Sequence, residues 1–227
     1  MSISKDLIDL MESGAFLLGV WETIYITLLS TAIAYLIGLP LGLILHCTDK
    51  EGIFPVAWLN KTLGVLVNIL RSIPFAILMV ALIPFAKFVV GASYGNSALI
   101  VTLVIAAFPY VARMVESSAK EVDKGVIEAA QSMGASNLGL IFKVILPEAK
   151  PSLITGAIIS TVTVLGYSAL ASTIGAGGLG AIAMIYGYQR FHNEIIWICV
   201  IVTVVIVQLI QELGMFLVKK TDKRISK

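Results

Sequence analysis

Charged side chains are scarce in this sequence. Asp, Glu, Lys and Arg together make up 13% of its 227 residues, whereas an ordinary soluble domain carries roughly 25%. The 16 basic and 14 acidic side chains are too few to cover the surface of a water-soluble protein of this length. Hydrophobic residues account for 58% of the chain, and the mean hydropathy is +0.96. The composition therefore argues against a soluble globular domain.

Cysteine and histidine are also rare, and the chain has two of each. Cys47 and Cys199 stand far apart in apolar surroundings, without a partner at metal-ligand or redox spacing, and we interpret them as small buried hydrophobic residues. His46 and His192 each lack a second ligand three or four positions away. The sequence therefore predicts no metal site and no bound cofactor.

Patterns that mark nucleic-acid binders and enzymes are missing too. The net charge is only +2, and the basic residues are spread among apolar stretches, which argues against a nucleic-acid partner. No GxxxxGK[ST] sequence occurs, so the chain cannot hold ATP phosphates in that way. Residues 175–180 match a dinucleotide-binding pattern, but that site needs a preceding strand, a following helix and an acidic residue about 20 positions on. This run instead follows a predicted membrane helix, and the next acidic residue, Glu194, comes 14 positions after Gly180 beside another span. No catalytic constellation can be assembled, so an enzyme is not predicted.

Long uncharged stretches are what the sequence does contain. Residues 23–48, 88–112 and 151–189 hold no Asp, Glu, Lys or Arg, and each exceeds the roughly 18 residues that mark a membrane-spanning helix. Because the backbone must satisfy its own hydrogen bonds in lipid, we predict an all-α polytopic membrane protein. Five transmembrane helices are predicted, at residues 20–45, 63–85, 98–114, 153–173 and 195–218.

Two of these spans leave alternatives open. The second is interrupted by Arg71, Pro74 and Pro84, and it is either one kinked helix or two shorter pieces. In the first span, Gly38 and Gly42 flank a proline and allow either the close approach of another helix or a kink.

The charges between the spans predict the orientation. With the N-terminus outside and the C-terminus in the cytoplasm, Lys5, Lys87 and Arg190 lie outside and Arg71 lies within the second span. All other Lys and Arg residues then face the cytoplasm, as the positive-inside rule requires. Residues 1–14 lack the features of a cleaved signal peptide, so the first span is expected to stay in the mature protein. The predicted regions are an external segment (1–19), a transmembrane domain (20–218) with a cytoplasmic loop (115–150), and a basic cytoplasmic tail (219–227).

The cytoplasmic loop is the only sizeable segment predicted outside the membrane. Residues 128–134 are good helix formers followed by Gly, and Ser136 is a suitable N-cap for a second helix. Ala129, Ala130 and Gly134 place small side chains near one face of the first helix. The two short helices form either a docking surface for a soluble partner or a surface hairpin packed on the membrane helices.

Spacing within this loop distinguishes it further. Glu128, Ala129 and Ala130 are followed by Gly134 six positions after the glutamate, and then by a Val-Ile-Leu-Pro sequence that begins at Val144. This pattern resembles the EAA loop of the permease subunits of ABC importers, with Val144 where Ile is usual. The resemblance implies a coupling helix that sits in a cleft of a cytoplasmic ATPase subunit. The residues it assigns to this coupling are Glu128, Ala129, Ala130, Gly134, Leu146 and Pro147.

Residues 68–75, 166–170 and 175–180 resemble the methionine-import branch of that family. The resemblance covers about residues 21–218 and implies a homodimer joined to two ATPase subunits in the bacterial inner membrane. An external substrate-binding protein would deliver methionine or a related amino acid, and transport would proceed by alternating access. The alternative is a self-sufficient secondary transporter or channel, which is disfavoured because the acidic residues stand near span ends rather than at the midplane.

Arg71, Tyr167, Ser168 and Leu170 are predicted to line or gate the pathway. By resemblance, Leu170 lies at a narrow gate on the two-fold axis, where an apolar side chain would exclude water. Tyr167 and Ser168 belong to a polar stripe that either lines the pathway or bonds helices together. Arg71 either snorkels to the cytoplasmic headgroups or faces the pathway or a phosphate. The run at 175–180 is either a flexible external loop or a segment packed close to the pathway mouth.

Overall fold

The computed structural model describes residues 5–222, so the tail residues Lys223, Arg224 and Lys227 lie outside the described range. Within this range the chain forms helices and no strand. A π-helical turn at Ile141–Ile145 joins two of the helices, a 3₁₀ turn covers Ala171–Ile174, and a second π-helical turn covers Ala183–Tyr188. The α-helices are α1 (Lys5–Glu12), α2 (Ala15–Thr48), α3 (Ala57–Ser72), α4 (Phe75–Ala81), α5 (Ile83–Val90), α6 (Asn96–Lys120), α7 (Lys124–Ser132), α8 (Asn137–Leu140), α9 (Leu146–Ser168), α10 (Leu179–Ile182) and α11 (Asn193–Thr221).

Long apolar helices confirm the predicted all-α polytopic class. Four segments of the described chain are long and apolar enough to cross a membrane: α2, α6, α11 and the continuous stretch Asn137–Ser168 that runs through α8 and α9. The second predicted span is the pair α3 and α4, which reaches this length only as a broken pair. With that pair counted as one span, the described residues contain up to five spans.

The break in the second span lies at Pro74. Helix α3 ends at Ser72, Ile73 is extended with φ −83° and ψ 123°, and α4 begins after Pro74 with a bend of 100°. Proline disfavours a helical backbone at the residue before it and cannot donate a backbone hydrogen bond. Of the two alternatives from the sequence, two shorter pieces is the correct one.

The spans extend further into the flanking polar sequence than hydropathy indicates. Helix α6 continues to Lys120, and the fourth span already begins at Asn137. The other end of the fourth span is shorter than predicted, because the helix stops at Ser168 and a 3₁₀ turn covers Ala171–Ile174. Hydropathy marks only the part of a helix that is matched to hydrocarbon, whereas Glu, Lys, Ala and Leu continue a helix equally well in water. Most of the segment between the third and fourth spans is therefore helical.

The described chain forms two compact units. The first comprises residues 5–32, 74–106 and 161–210, and the start of α11 packs there against α1 and the start of α2. Cys199 is buried in this core with its thiol free, as predicted for a small hydrophobic residue. The buried members of the core are Leu7, Leu10, Phe16, Leu165, Leu179, Ile182, Ile195, Cys199 and Ile206.

The second unit comprises residues 33–73, 107–160 and 211–222. In it, α2 and α6 approach closely at the two glycines of α2. A Cβ atom on Gly38 would lie 2.7 Å from Val111 Cγ1, and one on Gly42 would clash with the carbonyl oxygen of Ala112. These glycines are therefore needed for close helix approach, which decides the second alternative left open by the sequence.

Candidate functional site

Helix α7 carries the Glu-Ala-Ala sequence and ends in a glycine cap. Asp123 is its N-cap, and the carboxylate accepts a hydrogen bond from the Gly125 backbone at 2.7 Å. At the other end, Gly134 has φ +83° and donates to the Gln131 carbonyl at 2.9 Å. Ala135 donates to the Ala130 carbonyl at 3.1 Å. This pair of bonds is a Schellman cap, which requires a left-handed residue after the helix.

The second predicted helix of the loop also begins where the sequence indicates. The Ser136 hydroxyl accepts a hydrogen bond from the Gly139 backbone at 3.2 Å, and this N-cap starts α8. Helix α8 continues through the π-helical turn into α9, where Leu146 is half-buried and Pro147 is exposed. The proposed coupling sequence is therefore a short helix, a glycine turn and the first turns of the next span.

The small residues of α7 do not share one face. Ala130 is buried, whereas Glu128, Ala129 and Gly134 are exposed. A Cβ atom added to Gly134 would meet no atom of the described chain within 4 Å. The turn at Gly134 is consequently open to solvent and free to receive a partner.

Exposed apolar side chains stand in the same segment, and the sequence reasoning missed them. Met133 is 82% exposed, Leu138 is 67% exposed and Phe142 is 64% exposed. Exposed apolar patches mark sites where a protein contacts a partner or the membrane, so these three side chains are candidate contacts. The sequence shows these hydrophobic residues on either side of Gly134, but it does not show that they are exposed.

An ion-pair network lies beside α7 in the second unit. Glu116 accepts a hydrogen bond from Arg113 at 2.6 Å and another from Lys120 at 2.9 Å. Lys120 also pairs with Asp49 at 2.9 Å, and Lys124 of α7 pairs with Glu51. The network connects the first turn of α7 and the end of α6 to the segment that follows α2. In the sequence, the basic residues bore only on membrane orientation, and the network itself was not predicted.

Arg113 extends this network to α3. One guanidinium nitrogen donates to the Gly64 carbonyl and to Asn68 Oδ1, each at 3.0 Å. An arginine fork can bond several acceptors in a fixed geometry. It therefore connects α6 to the helix that ends at the Pro74 break.

The two exposed ion pairs, Lys120–Asp49 and Lys124–Glu51, shift the pKa values of their side chains. The hydrogen bond from Lys120 holds the pKa of Asp49 below its ordinary value, and the hydrogen bond from Lys124 does the same for the pKa of Glu51. The bond to Glu51, with the charge of Glu128 nearby, raises the pKa of Lys124. All these groups are therefore charged at neutral pH. A polar cleft of about 530 Å³ lies here, lined by residues that include His46, Asp49, Lys120, Lys124, Glu128 and Gln131.

The glycine-rich run at 175–180 is packed in the first unit, and the flexible-loop alternative is wrong. Gly177 donates to Asn96 Oδ1 at 2.8 Å, and Asn96 donates to Glu22 Oε1 at 2.8 Å. Leu179 donates to the Thr23 hydroxyl at 2.8 Å. Side chains of α2 and α6 thus bind the backbone of this run directly. At Gly177 a Cβ atom would overlap the Glu22 carboxylate, so a larger residue there would have to displace that side chain.

Gly180→Ala is expected to lower the melting temperature of the purified protein. Its Cβ atom would lie 2.6 Å from the Ala169 carbonyl oxygen and 2.5 Å from the Ala169 Cα. Backbone atoms cannot move aside as a side chain does, and overpacking of this kind costs about 1–3 kcal/mol. Thermal unfolding in detergent measures the change. Gly166→Ala is the matched control, because its Cβ atom meets nothing within 4 Å, and an equal loss in both variants would contradict the prediction.

The residues predicted for the gate lie at the end of α9. Tyr167 stacks on Phe75 with ring centroids 4.6 Å apart. The Ser168 hydroxyl is buried and donates to the Leu165 carbonyl of its own helix at 2.7 Å. Leu170 is 37% exposed and precedes the 3₁₀ turn. Tyr167 and Leu170 thus stand at an irregular helix end, while Ser168 is occupied within its helix.

Arg71 lies in the last turn of α3, in the second unit. It is exposed, and its guanidinium carbon is 5.8 Å from the centre of the Tyr110 ring. At 1.5 Å per residue, Arg71 lies about 21 Å along the helix from Ala57. Arg71 therefore stands at the Pro74 end of α3, one helix length from Ala57.

The chain is similar to known transport proteins over almost its whole length. Residues 38–227 match the family described as the inner membrane component of binding-protein-dependent transport systems. The probable D-methionine transport system permease protein MetI of Vibrio cholerae is 46% identical over 94% of this chain and 95% of its own length. The methionine import system permease protein MetP of Bacillus subtilis is 43% identical over 80% of this chain and 82% of its own.

Solved structures of transport proteins are also similar to this chain. A chain of the MetNI methionine ABC transporter in an inward-facing conformation has a TM-score of 0.92 and 40% identity, and the match covers 97% of this chain and all of the other. An amino acid ABC transporter crystallised with histidines has a TM-score of 0.77 at 21% identity. The second likeness concerns the fold alone.

Proposed function

Since the chain belongs to the family of inner membrane components of binding-protein-dependent transport systems, we propose that it moves methionine or a closely related amino acid across the bacterial inner membrane. It is the membrane-spanning permease subunit of an ATP-driven ABC importer. It is not an enzyme, because the ATPase is a separate subunit. The observation that carries this function is the match to a chain of a methionine importer over 97% of this chain.

The working unit is a homodimer with two cytoplasmic ATPase subunits and an external substrate-binding protein. We place the N-terminus outside and α7 in the cytoplasm, because this orientation puts most basic residues on the cytoplasmic side. Helix α3 then begins at the cytoplasmic face, and Arg71 lies about 21 Å along it. That depth favours the pathway-facing alternative for Arg71 over snorkelling to the cytoplasmic headgroups.

Coupling to ATP is mechanical and begins at the turn after α7. The apolar side chains of Met133, Leu138 and Phe142, with the open Gly134 turn between them, fit a cleft of the ATPase subunit. When the two ATPase subunits close on ATP, α7 moves with them. Its ion pair from Lys124 to Glu51 and the neighbouring network pass the movement to α6.

From α6 the movement reaches the second span and the pathway. Arg113 holds the Gly64 carbonyl, so a shift of α6 displaces α3 toward or away from its break at Pro74. Breaks between helices absorb such displacements at little cost in free energy, since few backbone hydrogen bonds cross them. At the pathway, Leu170 and Tyr167 exclude water in the closed state. Opening them toward the outside admits the amino acid, and ATP hydrolysis resets the dimer.

Uptake of labelled methionine into proteoliposomes tests the function. The permease is reconstituted with its ATPase subunit, and the external binding protein is added with methionine. We expect uptake only when ATP, the ATPase and the binding protein are all present. The matched control carries an ATPase subunit unable to hydrolyse ATP. Uptake that an ion gradient drives without the ATPase would overturn the proposal in favour of a self-sufficient carrier.

A further inference from the structure

A strained aromatic residue stands in the turn before α11. Phe191 has φ +60°, and it is the one non-glycine residue with a positive φ among residues 5–222. A bulky side chain in this left-handed region is a backbone outlier that persists only where other interactions enforce it. The Phe191 ring is 88% exposed, so packing of the ring within the described chain does not compensate for the strained backbone.

The turn is held rigidly by contacts on both sides of Phe191. Asp6 of α1 accepts a hydrogen bond from Arg190 at 3.1 Å, and its Oδ2 lies 3.2 Å from His192 Nε2. The His192 backbone donates to the Gly187 carbonyl at 2.8 Å. These contacts fix the backbone on either side of the ring. The exposed ring therefore stands on a backbone turn that is tied to α1.

Charged and aromatic residues flank Phe191 in the sequence. Arg190 stacks on Tyr186 at 4.6 Å, and Glu194 Oε1 lies 3.6 Å from His192 Nδ1. Tyr188, three residues before Phe191, is 65% exposed. An apolar anchor within a polar rim is typical of protein interfaces. The charged groups beside Phe191 need water, which argues against burial of this turn in the lipid.

In the proposed topology the turn before α11 lies on the external side of the membrane, whereas α7 lies on the cytoplasmic side. The external partner of the proposed function is the substrate-binding protein, and this inference rests on that function. We propose that Phe191, presented with Tyr188, is an anchor on which the binding protein docks. Aromatic residues supply much of the energy of such interfaces.

Affinity of the binding protein for the assembled permease–ATPase complex in nanodiscs tests the anchor. The variant is Phe191→Asn, because Asn tolerates the left-handed backbone and keeps the turn while it removes the ring. We expect binding weaker by about 10-fold or more, as for an interface anchor. Phe191→Tyr keeps an aromatic ring and is expected to retain most of the affinity.

Phe88→Ala is the matched control. Phe88 is 86% exposed but lies within α5, on ordinary helical backbone. Native affinity in Phe88→Ala together with the loss in Phe191→Asn supports the anchor. Native affinity in Phe191→Asn, equal losses in both variants, or a loss of the permease dimer in Phe191→Asn would overturn it.

The same preparation separates this inference from the function on which it rests. If the unaltered complex takes up methionine and Phe191→Asn binds the protein as tightly, the docking anchor is wrong and the function stands. If the unaltered complex binds no external protein and takes up no methionine, both fail.

Discussion

Gly134→Glu is expected to abolish recovery of the ATPase subunit with a tagged permease from membranes that contain both. A Cβ atom at Gly134 meets nothing in the described chain, so the new carboxylate would point outward at the partner. Desolvating an unpaired charge at an interface costs about 2–5 kcal/mol. At 1.4 kcal/mol per tenfold change in affinity, the expected loss of affinity is roughly 30-fold or more.

The backbone cost of this change is removed by a matched control. Gly91 follows α5 with φ +74°, and a Cβ atom there also meets nothing within 4 Å. Gly91→Glu therefore introduces the same residue at another exposed left-handed glycine after a helix, on the external side in the proposed topology. We expect it to recover the ATPase as the native chain does. Loss of the ATPase in both variants would show that strain and not docking explains the result at Gly134.

A second variant at the same position separates shape from charge. Asn occupies the left-handed region more readily than other residues. Gly134→Asn is therefore expected to retain more ATPase than Gly134→Glu, because it adds a small neutral side chain. If both variants retained the ATPase fully, the open turn would not be part of the docking surface.

Features set by local sequence were predictable. Long uncharged stretches identified the spans, since the requirement for about 20 apolar helical residues depends on one segment at a time. The Ser136 N-cap and the glycine after α7 were also visible, because capping needs only a few adjacent residues. The same local rule identified Pro74 as an interruption, although it did not decide between a kink and a complete break.

Features set by distant contacts were not predictable. The hydrogen bond between Asn96 and Glu22 joins residues 74 positions apart, and that between Leu179 and Thr23 joins residues 156 apart. The glycine-rich run therefore looked like an open loop, although it is packed against two helices. The contacts beside Phe191 were missed for the same reason, because Arg190 meets Asp6 of α1 across 184 positions of sequence.

The site was predictable in part. The Glu-Ala-Ala sequence lies in α7 and is followed by the glycine turn, so the local structure of this segment was predictable. Their individual roles in coupling remain proposals. Met133, Leu138 and Phe142 were missed because exposure, unlike hydrophobicity, is a property of the fold. Arg113 and Glu116 were missed because a charge near a span end has the same sequence signature whether it is solvated or buried.

Glu116→Gln is expected to lower the melting temperature of the purified permease by about 4–12 °C. The Glu116 side chain is 9% exposed and accepts hydrogen bonds from both Arg113 and Lys120. Removing one member of a buried pair costs about 3–5 kcal/mol. Because Lys120 is half-exposed and keeps its pair with Asp49, we expect about 2–3 kcal/mol, and each kcal/mol lowers the midpoint by roughly 2–4 °C in a chain of this size.

Glu51→Gln is the matched control for this prediction. It makes the same chemical change in the pair with Lys124, whose side chains are 76% and 71% exposed, and exposed pairs add little to stability. We expect no measurable shift, so equal shifts in Glu51→Gln and Glu116→Gln would contradict a special role for Glu116. Below its melting temperature, Glu116→Gln should still recover the ATPase, because the Glu116 carboxylate is buried and pairs with Arg113 and Lys120, whereas the Gly134 turn is exposed. Loss of the ATPase in Gly134→Glu together with its recovery in Glu116→Gln would therefore separate the docking surface from the network that supports it.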